Sequence, residues 1–123
     1  MADQGSNSDT LYAYIVANSL FTPRQLSIIL NQLEGGGKPE KISSGAYYRQ
    51  VKQCRKKVIS LLYSIMLLQS IGIVHPDALR TLNRLAEQLT VIFASESSDG
   101  TPRLDVDHVI SVINEVIKRV SKL

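Results

Sequence analysis

Residues 42–72 read ISSGAYYRQVKQCRKKVISLLYSIMLLQSIG. Within them Tyr47, Val51, Cys54, Val58, Leu61, Ile65 and Leu68 recur at steps of four, three, four, three, four and three. That is the period of one face of an α-helix, not the alternation of a strand. Ser43 or Ser44 can cap the first amides, and Gly72 stops the run four residues after Leu68. The spacing predicts one helix from about Gly45 to Ile71, on the order of 40 Å long, with room for a kink near Ser60 or Ser64. Its second half adds Leu62, Met66 and Leu67 and is apolar nearly all round. Such a segment has to be covered by other helices or by a second chain.

Upstream, Thr22-Pro23-Arg24-Gln25 starts a helix with a mechanism: Thr22 caps, Pro23 suits the first helical position, and Gln25 completes a capping box. Leu26, Ile29, Leu30 and Leu33 give this helix its expected apolar face, and Gly35-Gly36-Gly37 ends it. The glycines have neither the Gly-Lys-Ser/Thr ending nor the preceding strand of a phosphate loop, so they read as a turn. Before them, residues 1–9 read as a flexible tail, and Leu11, Tyr14, Ile15 and Ala17 as a short helix ending near Asn18. Downstream, Pro76 and Asp77 open a fourth helix with the stripe Leu79, Leu82, Leu85, Ala86, Leu89, Ile92 and Phe93, followed by a polar loop from Ser95 to Arg103. Asp105 caps a fifth, whose seam is Val106, Val109, Ile110, Ile113, Val116, Ile117 and Val120. These β-branched residues recur every three to four positions, which favours helix over strand. At most, Ile42 and Ile73-Val74 could form a minor ribbon. The expectation is an all-α, five-helix single domain over residues 10–123, divided into a helix-turn-helix-like part (10–58) and core and dimerisation helices (59–123).

Length and composition agree. The chain has 123 residues, 44% hydrophobic and 20% charged, which suits one small domain with a core. Its mean hydropathy is +0.01 and no run of about 20 apolar residues is uninterrupted, so a membrane span is not expected. The opening MADQGSNSDT is polar and acidic and resembles neither a signal nor a transit peptide, which makes the cytoplasm the default expectation. A lone Cys54 excludes an intrachain disulfide and reads as a small buried hydrophobe. His75 and His108 each sit beside a helix start, where capping or surface placement outranks metal binding. Asp105, Asp107 and His108 form the only acid-and-imidazole cluster, and capping is again the better account. No catalytic triad, Cys-His pair, dinucleotide fingerprint or HExxH is present, so neither an enzyme nor a cofactor, metal or small-molecule site is expected.

The informative feature is charge. From Lys41 to Arg80 the sole acid is Asp77, whereas Lys41, Arg49, Lys52, Arg55, Lys56 and Lys57 fall within seventeen residues. At about 100° per residue, Arg49, Lys52, Gln53 and Lys56 project opposite the Tyr47-Val51-Cys54-Val58 face, with Tyr48 and Arg55 on a flank. Solvated faces usually mix signs to gain i,i+4 pairs, and here the helix offers no acid. A capped helix, a Gly-rich turn and a second helix opening with Ser43, Ser44, Gly45, Tyr48, Arg49 and Lys52 follow the layout of a helix-turn-helix. Arg49, Lys52 and Gln53 have donors for guanine or adenine edges. Lys41, Ser43, Ser44, Tyr48 and Lys56 suit the phosphate backbone.

These two segments, FTPRQLSIILNQL (21–33) and ISSGAYYRQVKQCRKKV (42–58), also resemble the DNA-binding core of helix-turn-helix transcription regulators, in which a (L/F)TxRQ helix precedes an (I/V)S.gavyrrv.r.r.Ki recognition helix. The pattern is similar to small stand-alone archaeal regulators and to related sigma-factor and response-regulator output domains. It covers Phe21 to about Val58, less than a third of the chain. Those families usually insert another short helix between the two segments, where this chain has only Gly35 to Ile42. The resemblance implies a dimeric, sequence-specific regulator, with Ser44, Tyr48, Arg49 and Lys52 at the start of the recognition helix.

The apolar surplus independently suggests a homodimer, joined through Val109, Ile113, Val116, Ile117 and Val120 of the last helix and presenting two basic helices to double-stranded DNA about 34 Å apart. The rival expectation, from another class, is a helical protein-interaction module or small assembly subunit whose basic stripe meets an acidic partner.

Overall fold

A computed structural model describes residues 7–94 and 105–123. It is all-α: α1 spans Asn7–Ala17, α2 Pro23–Leu33, α3 Ser44–Ser70, α4 Pro76–Ala94 and α5 Val106–Val120. The helix expected after residue 9 already begins at Asn7, while residues 1–6 of the expected tail and the expected polar loop over 95–103 lie outside the described residues. By contact density the chain divides into two units, one of Val16–Met66 and one of Met1–Ile15 with Leu67–Leu123, so the division falls inside α1 and α3.

In the Val16–Met66 unit, α2 starts as its chemistry dictates. The Thr22 hydroxyl accepts from the Gln25 amide at 3.1 Å, and the Gln25 side chain accepts from the Thr22 amide at 3.0 Å. The helix ends in a Schellman motif: Gly36 N–H donates to Asn31 O at 3.0 Å, and Gly35 N–H to Gln32 O at 3.1 Å. Gly35 sits at φ +74°, a conformation that a side chain disfavours. Ser43 is the serine that caps α3, its hydroxyl accepting from Ala46 N–H at 3.2 Å. The helix closes with a second Schellman motif, Ile73 N–H to Leu68 O at 2.9 Å and Gly72 N–H to Gln69 O at 3.1 Å, with Gly72 at φ +86°.

The core of this unit is Ile28, Tyr47, Val51 and Cys54, with Ile29 and Ile42 packed against it. Two parts of the expected core differ. In α2 the buried residue is Ile28, while Leu30 and Leu33 are 46% and 77% exposed. The face that meets α3 carries Gln25, Ile28, Ile29 and Gln32, and its two glutamines are held by hydrogen bonds from Lys57 and Tyr47. In α3 the register holds through Cys54, and beyond it Val58, Ile65 and Leu68 are exposed and Leu61 half-buried. The hydrogen bonds join Gln32 to Tyr47 at one end and Gln25 to Cys54 and Lys57 at the other, so α2 and the first half of α3 run in opposite directions as a helical hairpin.

In the other unit, α4 and α5 pack together, and Leu11 of α1 and Ile113 and Val120 of α5 are buried. Tyr14 of α1 is hydrogen-bonded to Asn114 of α5, and the Tyr12 and Phe93 rings meet edge to face at 5.6 Å. Asp105 caps α5 through a bond from His108 N–H at 3.2 Å. The chain end after α5 pairs with Ile73-Val74, through an isolated antiparallel bridge between Val74 and Ser121 and a Lys122 N–H to Ile73 O bond of 3.2 Å. Ile42 takes no part in that pairing, since its amide donates to Pro39 O.

Candidate nucleic-acid interface

The side chain that sets the phase of α3 is Tyr47, which is fully buried. Its hydroxyl accepts from Asn31 Nδ2 at 2.7 Å and donates to Gln32 Oε1 at 2.9 Å. Asn31 Nδ2 also donates to Gly37 O at 3.0 Å, which ties the glycine turn to the same point. A Cβ on Gly36 would lie 2.5 Å from the Asn31 Oδ1 atom. One buried phenol therefore fixes the end of α2, the turn and the start of α3, and a helix fixed in rotation presents its other face as a defined pattern.

That face is basic. Arg49, Lys52, Gln53 and Lys56 are exposed along one stripe, with Lys41, Ser43, Ser44 and Tyr48 exposed at or before its beginning and Arg55 exposed beside it. The Tyr48 ring is 57% exposed and held edge-on to Tyr47, with centroids 5.2 Å apart. Among the described residues the ion pairs lie at Asp77, with His75 and Arg80, and none involves a cation of α3 or Lys41. The Val16–Met66 unit holds eight cations against two acids, a formal charge of +6, and the rest of the chain six against nine, or −3.

Lys57 departs from the stripe. Its ammonium donates to Gln25 Oε1 at 3.1 Å and lies 5.5 Å over the Phe21 ring, so this cation binds α3 to the start of α2. Beneath it, the buried Cys54 thiol donates to Gln25 O at 3.7 Å. Burial pushes the thiol pKa up, and the neighbouring Lys57 charge only partly opposes this, so Cys54 stays protonated and inert at neutral pH.

Beside the stripe, an apolar groove of about 280 Å³ lies between α2 and α3, lined among others by Ile29, Leu33, Val51, Val58 and Ile59 with Arg55 at its edge. Of the α5 residues expected to join two copies, Ile113 and Val120 are buried in the chain's own fold, Val109 and Val116 are half-buried, and Ile117 is 49% exposed. Among the described residues no cluster of acids, histidines and cysteine could hold a metal ion, and no helix is long and apolar enough to cross a membrane. No protein-family model, curated protein or solved structure matches this chain.

Proposed function

We propose that this chain is a DNA-binding protein, a cytoplasmic transcription regulator and not an enzyme, which sets the basic face of α3 against double-stranded DNA. The observation that carries the reading is that Lys41, Arg49, Lys52, Arg55 and Lys56 are all exposed and none has an acid in ion-pair range among the described residues. Like charges one helical turn apart repel, and a fold gains nothing from leaving them unpaired. A polyanion reverses the sign of that term, because each cation placed on a phosphate releases a condensed counterion. Arg49, Lys52 and Gln53 supply donors for base edges, whereas Lys41, Ser44, Tyr48 and Lys56 suit sugar and phosphate. Ser43 contributes mainly as the cap that fixes where α3 begins.

Replacing Arg49 and Lys52 together by Ala tests this, because both are exposed and neither supports the core. The expected result is a loss of duplex affinity of tenfold or more in fluorescence anisotropy, with an unchanged circular-dichroism spectrum. Wild-type affinity in the double variant would overturn the assignment of the face.

A further inference from the structure

The second half of α3 presents a surface that the DNA assignment leaves unused. Val58, Ile59, Leu62, Tyr63 and Met66 are between 37% and 66% exposed. At about 100° per residue they occupy an arc of roughly 140° centred near Leu62 and Met66. Weighted by exposure, these side chains and Ile65 offer on the order of 600 Å² of surface. That matches the largest patch a typical monomer leaves open, about 300–600 Å², and approaches the roughly 800 Å² each partner gives to a standard interface. Val58 and Ile59 also line the groove beside α2, so the groove and the patch are continuous.

We propose that this patch is the contact between two copies of the chain, with the two α3 helices antiparallel and crossing at Leu62. The area fits a second copy as the occupant, since two such patches together bury about 1,200 Å², the lower end of a specific interface, and charge selects the direction. Arg55, Lys56 and Lys57 immediately precede the patch, and the helix carries no charge from Val58 to Ser70. A parallel pair would set Arg55, the cation in line with the patch, against its own copy. An antiparallel pair sets the basic segment of each copy beside the uncharged end of the other, and brings Met66 of one copy opposite Val58 and the groove mouth of its neighbour. Such a contact is isologous and closes as a two-fold dimer.

The arrangement also deepens the DNA assignment. From Leu62 back to the midpoint of Arg49 and Lys52 is about 17 Å at 1.5 Å per residue. The two-fold doubles this to about 34 Å, one turn of duplex DNA. Around the helix, Arg49, Lys52 and Lys56 lie roughly 80–140° from Leu62. A two-fold perpendicular to both helices therefore turns both basic faces to the same side of the dimer. The contact rests on the apolar patch alone, and the spacing rests on the DNA assignment.

The test is sedimentation equilibrium of the full chain with disulfide mapping in a Cys54→Ala background. The wild-type chain should be a dimer at micromolar concentration, and Leu62→Glu, at an exposed position, should be a monomer with an unchanged circular-dichroism spectrum. Leu62→Cys should give a covalent dimer on oxidation. Ile59→Cys should not, because the two-fold separates its two copies by about 9 Å along the axis, beyond the reach of a disulfide. A monomeric wild-type chain, a dimer that Leu62→Glu leaves intact, or equal cross-linking at positions 59 and 62 would each overturn the proposal. A dimer without DNA affinity would remove the DNA assignment and leave this contact. Salt-sensitive DNA binding by a monomer would do the reverse.

Discussion

A single phenol holds the hairpin in place. The Tyr47 hydroxyl is both acceptor from Asn31 and donor to Gln32, so its removal leaves two partly buried amide groups short of a partner. Tyr47→Phe should cost about 1–2 kcal/mol in urea unfolding, and Tyr47→Ala about 3–5 kcal/mol as the ring's volume is lost. Cys54 makes a different prediction. Burial raises its pKa above the ordinary 9.0, so the folded chain holds the proton more tightly than the unfolded one. The stability this contributes is complete below the unfolded value and is lost as pH rises through the folded one. Urea titrations above pH 9 should therefore show the wild-type chain losing stability faster than Cys54→Ala, with the two slopes equal at neutral pH. Parallel slopes throughout would mean that the thiol is not buried as described.

Among the elements, α2 shows which local signals carry furthest. Thr22→Ala removes one half of a capping box and should cost about 1 kcal/mol. Gly35→Ala forces a side chain into the left-handed region and should cost a similar amount, about 1–2 kcal/mol. A thermal-unfolding series covers both. These features were legible in the sequence because they act over three or four residues: the Thr22–Gln25 box, the stops at Gly35 and Gly72, and the Asp105 cap are all where local chemistry puts them. The buried face of α2 was legible only in part. Counting apolar residues selects Leu26, Ile29, Leu30 and Leu33, of which Ile29 packs on the core, but the helix also packs through Ile28 and two glutamines whose partners lie 15 and 32 residues away, and Leu30 and Leu33 are exposed. The same limit applies to the basic stripe. Its direction follows from the Tyr47-Val51-Cys54 register, so Arg49, Lys52, Gln53 and Lys56 could be placed on one face from sequence. The withdrawal of Lys57 to Gln25 and Phe21 could not, because both partners belong to another part of the chain. Nor could periodicity tell that Val58 and the residues after it stay open, since an apolar side chain reads alike whether its own chain or another covers it.

For the whole molecule, the net charge of +3 conceals a +6 segment and a −3 remainder. A weakly basic average would give weak, diffuse attraction, whereas concentration on one helix face makes a directed electrostatic footprint. Distributed or acid-paired cations would bind DNA feebly at any salt; Arg49, Lys52 and Lys56 on one helix face, with Lys41 before it, would release a defined number of ions on the proposed duplex. The most direct measurement is the affinity of the purified chain for a mixed-sequence duplex, followed by fluorescence anisotropy across a salt series. With about 0.9 counterions released per phosphate contacted, the four cations assigned to DNA, Lys41, Arg49, Lys52 and Lys56, predict a log–log slope of roughly −4 for one chain and roughly −7 if both copies of a dimer engage. No binding at low salt would contradict the account and turn attention to an acidic protein partner for the same face.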